Sequence, residues 1–423
     1  MLAAQVLSIA VFVLAYALII RFYEKKQLVV WAAVLALPLL GLLPWSAMPA
    51  AVNWNVILLY FGMLLVSEVF LYSRMPDFLA TVFARKSKNT AQAMLIICAF
   101  TGLLSIFLEN VAVVLLVAPI ALAISRKCEI NPAPLFIGMA VSSNLQGSAT
   151  LIGDPPSMLL GGFAGMSFND FFFLGGKPSI FFAVQVGALV SLLVLWLFFR
   201  RQRKDMPALQ KERFESLWPT MFVIGLVLLL ILTSPLKTTL PVAGLLCVIF
   251  GAISYGWYLW HTRDWKVRAY VSRLDWRTGL FLIGVFVLVA SLQATGVIGE
   301  IANLITSLTG GSVGRSFFLI VWLSVLFSAF VDNVPFLAVM LPVTQAVITA
   351  TGAAGPLLYF GLLIGASVGG NITPIGASAN IVAMGILRNQ GIRTTFWDFT
   401  KIGLPFTLVS VIASTLFLWF VWA

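Results

Sequence analysis

Apolar stretches close to the ~20 residues that a helix needs to cross a ~30 Å hydrocarbon core follow one another along the whole chain. They predict ten membrane crossings, near 2–21, 28–48, 54–73, 134–163, 178–199, 218–233, 238–260, 280–295, 356–388 and 399–422. Two further apolar stretches, 90–126 and 315–350, are too long for one crossing, and each carries an acid followed by Asn near its midpoint. Each predicts a re-entrant hairpin that enters and leaves on one side. No linker or low-complexity segment intervenes, so the pattern describes a single α-helical membrane unit.

Sliding the chain against itself by 223 positions pairs Glu109, Asn110 and Val111 with Asp332, Asn333 and Val334. The same shift pairs Pro119 with Pro342, Gly138 with Gly361, Gly147 with Gly370, Thr150 with Thr373 and Gly153 with Gly376. Leu and Val matches arise by chance between apolar helices, but ordered Gly, Pro, Asn and acid matches do not. The repeat divides the chain into 1–199, a basic cytoplasmic connector 200–216, and 217–423. Each half then holds five crossings, with one hairpin (90–126 or 315–350) and one broken helix (134–163 or 356–388). Five is odd, so the second half inserts upside down, the inverted-repeat plan of many secondary transporters.

Composition agrees with this picture and charge orients it. Hydrophobic residues make up 61% of the 423 positions and charged residues 10%, against roughly 25% charged in a soluble domain. The net charge of +11 would suggest nucleic acid in a soluble protein, but here 23 of the 26 Lys and Arg fall in alternate loops, at 21–26, 74–88, 126–127, 200–213, 263–277 and 388–401. Only Lys177, Lys237 and Arg315 fall on the other side. By the positive-inside rule the rich side is cytoplasmic and both termini face outward. Cys98, Cys128 and Cys247 show no paired or metal-ligand spacing, and His261 sits in a basic loop. Residues 2–21 are followed rather than preceded by basic residues, so they read as an uncleaved first helix.

Candidate chemistry concentrates in the breaks, SSNLQGSATLIGDPPSMLL (142–160) and SVGGNITPIGASANIVAMG (367–385). Irregular backbone at membrane depth must be buried in protein or line a watery cavity. Half-helix N-termini there attract an anion, while unwound carbonyls and side-chain oxygens can hold a cation. The candidate substrate ligands are Asn110, Asn144, Ser148, Thr150, Gly153, Asn333, Asn371, Thr373, Gly376, Ser378 and Asn380. Ionisable residues in a membrane are functional candidates by default. Glu109, Asp154 and Asp332 have no basic neighbour in their segments, so they are expected to be protonated or paired with a bound cation, with Na+ placed near Asn110, Asp154, Asp332 and Asn333. The structural alternative is that these acids only cap half-helices. Glu68, near the end of its helix, reads as interfacial.

NWNVILLYFG (53–62), the ENV and DNVPF tips, TLIGDPPS (150–157) and GGNITPIGASAN (369–380) resemble the ion transporter superfamily over nearly the whole chain. That superfamily includes arsenite permeases, D-type sodium/proton antiporters, the P protein and the divalent-anion/sodium symporters. The resemblance implies a homodimer in which a scaffold supports a moving elevator part made of the hairpins and broken helices. The symporters place Ser-Asn-Thr at both tips. Here Asn110 and Asn333 remain, Glu109 and Asp332 replace the serines, and Val111 and Val334 replace the threonines. The expected function is secondary transport of a small anion or oxyanion, including a carboxylate, coupled to Na+ or H+, with no other cofactor and with the bilayer and a second copy as partners in a bacterial inner membrane. Sodium/proton antiport and arsenite efflux are the alternatives, followed by a channel and an intramembrane aspartyl protease. For the protease, the Gly-x-Gly-Asp signature is missing at Leu151-Ile152-Gly153-Asp154. Because Asp154 aligns with Ala377, the first half is expected to dominate cation coupling.

Overall fold

The computed structural model describes residues 2–22, 25–205, 213–236, 238, 240–263, 272, 274–353 and 355–423. Lys237, residues 206–212 of the connector and most of the basic loop 263–277 lie outside the described residues.

The first half forms α1 (Leu2–Arg21), α2 (Lys26–Leu39), α3 (Met48–Ala51), α4 (Trp54–Tyr72), α5 (Met75–Arg85), α6 (Thr90–Ser105), α7 (Asn110–Lys127), α8 (Ala133–Gly147), α9 (Pro155–Ala164) and α10 (Ile180–Phe199). The second forms α11 (Trp218–Thr233), α12 (Val242–Thr262), α13 (Trp276–Ala294), α14 (Val297–Thr309), α15 (Val313–Ser328), α16 (Asn333–Thr351), α17 (Leu357–Gly369), α18 (Ser378–Asn389) and α19 (Phe396–Trp422). Among the described residues, eight helices are long and apolar enough to cross a membrane, or nine if the bent pair α14 and α15 counts as one span. The chain is an integral membrane protein.

The helix starts explain themselves from sequence. Asn53 accepts a hydrogen bond from Val56 N–H at the start of α4, and Asp275 accepts one from Thr278 N–H at the start of α13. Asn89 does the same for α6 and Ser312 for α15, so these short polar side chains satisfy orphan donors at equivalent places in each half.

Three features depart from the hydrophobic pattern. The expected crossing at 28–48 is a 14-residue helix, about 21 Å long, which stops after Pro38 where Gly41 turns the chain at φ +68°. The segments 74–88 and 296–312, expected as loops, contain the amphipathic helices α5 and α14. Each buries one face, Met75, Ala80 and Ala84 in α5 and Ile298, Ala302 and Ile305 in α14, and each is too short to span. The all-α expectation also meets one exception, a two-stranded ribbon pairing Phe173 with Pro178 and Leu174 with Lys177. Gly175 and Gly176, both at positive φ, form its turn.

Packing sorts the helices into two groups. In one, α4 packs on α12 and α2 on α13. The α4/α12 seam is closed by small residues: a Cβ on Gly62 would lie 2.5 Å from Val248 N, and one on Gly244 2.8 Å from Asn55 O, the close backbone approach typical of membrane helices. In the other, α6 packs on α8, α15 on α17 and α10 on α19. The second hairpin arms α7 and α16 pack back against the amphipathic helices α5 and α14 that precede their first arms. The breaks 148–154 and 370–377 meet inside this second group, where α18 crosses α8 and α9 touches α17.

Candidate functional site

The starts of α7, α9, α16 and α18 converge on one cavity of about 250 Å³. Each start leaves backbone N–H groups without intrahelical partners and carries partial positive charge. Three are capped by acids. Glu109 Oε2 accepts from Ala112 N–H at 3.0 Å, Asp154 Oδ1 from Ser157 N–H at 3.1 Å and Asp332 Oδ1 from Val334 N–H at 3.3 Å. The fourth helix, α18, has Ala377 at its cap position and no side-chain cap.

The acids' second oxygens meet different surroundings. Asp332 Oδ2 accepts a hydrogen bond from Lys26 Nζ at 2.6 Å, with both side chains buried. Asp332 is expected from sequence to be protonated or paired with a bound cation, and Lys26 to be a loop residue. Instead Lys26 is the first residue of α2, and the fold delivers its ammonium to a carboxylate 306 positions away. In the first half, Asp154 is 1% exposed and its Oδ2 has no hydrogen-bond partner; nor does the buried Oδ1 of Asn110. The Asn110 amide lies within hydrogen-bonding reach of the Asp154 carboxylate, and both line the cavity. Two unsatisfied buried oxygens, one of them a carboxylate oxygen, are the donor set that a hard monovalent cation or a proton satisfies. Among the described residues no cluster of three His, Cys, Asp or Glu side chains offers a site for a tightly held metal ion.

Of the residues singled out from sequence, Glu109, Asn110, Asn144, Asp154, Asp332, Asn333 and Ser378 line the cavity. The other seven lie behind it, with their polar atoms committed. Ser148 Oγ donates to Leu145 O, back into its own helix. Thr150 Oγ1 donates to Ile106 O at 2.5 Å and Thr373 Oγ1 to Ala329 O at 2.5 Å, tying each break to the adjacent hairpin tip. A Cβ on Gly153 would lie 2.9 Å from Ser105 O and one on Gly376 2.9 Å from Ser328 O, so each break needs glycine to return that closely.

The asparagines join the halves. Asn144 Nδ2 donates to Asn371 Oδ1 at 2.8 Å and to Asn380 Oδ1 at 2.9 Å. Asn371 Nδ2 donates to Val141 O, and Asn380 Nδ2 to Gly370 O and Thr373 O. Freed carbonyls of the second break are thus satisfied by side chains, as non-helical backbone at membrane depth requires. Asn110 Nδ2 reaches Asn144 Oδ1 at 3.4 Å, linking this network to the cavity.

Sequence reasoning missed Lys26, Tyr60 and Asp275, which also line the cavity, and underrated Glu68, which joins them. Tyr60 Oη donates to Asp275 Oδ2 at 3.4 Å. Lys26, Glu68 and Asp275 come from the ends of α2, α4 and α13, where a polar residue beside an apolar run looks interfacial until the partner element is known, whereas Tyr60 lies inside the apolar run of α4.

The citrate transporter family matches residues 15–365 and 301–423. The chain belongs to this family. An uncharacterized transporter of Mycobacterium tuberculosis is 32% identical over 98% of both chains. The human P protein is 26% identical across 95% of this chain and 58% of its own length. The crystal structure of the YdaH transporter of Alcanivorax borkumensis matches with a TM-score of 0.59 over 88% of this chain and 87% of that one, at 15% identity, a likeness of fold. Membership in the citrate transporter family makes this chain a membrane transporter of the ion transporter superfamily that its motifs resemble.

Proposed function

We propose that this chain is a secondary active transporter for a small organic anion of the carboxylate class, coupled to Na+ or H+. The observation that carries the reading is the convergence of four helix N-termini on one cavity, three capped by acids and one, α18, without an acid or any other side-chain cap. The N-terminus of α18, which carries no side-chain cap, receives the anion. The unsatisfied oxygens of Asn110 and Asp154 receive the coupling cation. The halves act as inverted repeats, with the termini outside the cytoplasm of a bacterial inner membrane. The hairpins and broken helices move as an elevator against α1, α2, α4 and α11–α13, in a homodimer. The family's description as citrate transporters supports a carboxylate.

Uptake of labelled citrate into proteoliposomes, with Na+ or pH gradients imposed separately, tests this. The expected result is uptake that follows one of the two gradients. Gradient-insensitive uptake, or no uptake of citrate or smaller carboxylates, overturns it. Sodium/proton antiport is the second reading, favoured by the five acids at the cavity (Glu68, Glu109, Asp154, Asp275 and Asp332). Sodium-driven proton flux without any organic anion would select it.

A further inference from the structure

We infer that the ion pair between Lys26 and Asp332 is a releasable tether, an internal cation that pins the tip of the second hairpin until an external cation displaces it. The inference rests on the transport reading for its purpose and on the geometry for its substance.

Lys26 belongs to α2, which packs on α13, while Asp332 caps α16 at the hairpin tip. The pair therefore bridges the two packing groups. The ammonium lies 2.6 Å from the carboxylate and 4.7 Å from the centroid of the Phe281 ring on α13, so α13 holds it from one side and the tip from the other. The side chains are 11% and 6% exposed. A buried carboxylate and ammonium hold one another because each alone is costly in such surroundings.

A second cation on the same carboxylate would stand beside the ammonium in a low dielectric, where like charges repel strongly. An external cation at Asp332 and the tether are therefore mutually exclusive. The cavity reaches both oxygens' surroundings, since Lys26, Asp332 and Asn333 all line it, so an entering cation has access. Among the described residues Glu109 at the first tip has no ion pair, and Lys26 plus 223 is Ile249, an apolar residue of α12. Glu109 accepts from its own helix. The tether makes Lys26 a positioning residue, acting on the hairpin through Asp332.

The test uses the full chain in sealed proteoliposomes with Ser378→Cys as reporter. Ser378 is exposed and lines the cavity, whereas Cys98, Cys128 and Cys247 are buried; the parent without the reporter gives the blank. A membrane-impermeant maleimide is added to either face, in buffer whose only small cation is choline. With the tether intact, labelling is expected from the face that carries the basic loops only. Lys26→Gln is expected to raise labelling from the opposite face by about tenfold, and the exchange Lys26→Asp with Asp332→Lys to return it to one face. The double variant Lys26→Met with Asp332→Asn, which leaves no buried charge, is expected to label from both faces while running as a folded species on size exclusion. One-faced labelling in the folded double variant overturns the tether, as does an exchange variant that labels like Lys26→Gln. Two-faced labelling on losing the pair, together with no carboxylate uptake by the parent chain that keeps Ser378, would keep the tether and remove the transport reading instead.

Discussion

The two hairpin tips share a backbone and differ in charge balance. Both turn through a short segment, both start their second arm with an acid followed by Asn, and both receive a threonine hydroxyl from the neighbouring break. At the second tip Asp332 is matched by Lys26. At the first tip Glu109 caps its own helix, and beside it Asn110 and the break residue Asp154 each have a buried oxygen without a hydrogen-bond partner. An ammonium supplied by the fold balances one buried carboxylate, whereas the other has an oxygen that no protein hydrogen bond satisfies. The difference teaches that two tips can share one backbone geometry and still differ in how their buried charge is balanced.

The largest expected effect comes from breaking the held tip. Asp332→Asn strands the Lys26 ammonium and is expected to destabilise the protein by about 3–5 kcal/mol, read as a fall in the thermal midpoint in detergent. Lys26→Met in the same chain should recover most of the loss, and an unchanged midpoint for Asp332→Asn alone would remove the pair from the account. Next comes the break beside the first tip. Asp154→Asn keeps an oxygen for the α9 cap but loses the charge, so the fold should survive while gradient-driven citrate uptake falls by about a hundredfold or more. Uptake at the wild-type rate would reduce Asp154 to a cap.

Two smaller effects test what the tips share. Asn144→Ala leaves the side-chain oxygens of Asn371 and Asn380 without their donor, at an expected cost of about 2–3 kcal/mol in thermal unfolding. Thr150→Val and Thr373→Val each remove one tie between break and tip and should cost about 1 kcal/mol apiece. A large inequality between the two, measured side by side, would show that the breaks are not equivalent supports.

Much of the architecture was legible because its causes are local or periodic. The hairpin arms fall within about two residues of the apolar boundaries at 90–126 and 315–350, since Asn89, Glu109, Ser312 and Asp332 are cap residues at the helix starts. Helices α5 and α14 were hidden because a short amphipathic helix among basic or polar residues reads as a loop when the search is for 20 apolar positions. The candidate site was half legible. Membrane-depth acids and asparagines announce themselves by their cost, but whether Ser148 faces the cavity or its own helix depends on one side-chain rotation.

Sequence by itself determined the membrane class, the helix pairs within 90–126 and 315–350 with an acid between their arms, and the two breaks, because each is written as a run, a spacing or a residue type misplaced in lipid. Tertiary structure alone decided which acids are compensated. Lys26 and Asp332 are 306 positions apart, and no periodicity links them. Their pairing follows from α2 packing on α13 beside the second hairpin, and electrostatic balance in a low-dielectric interior is set by distance in space, on which the order of residues is silent.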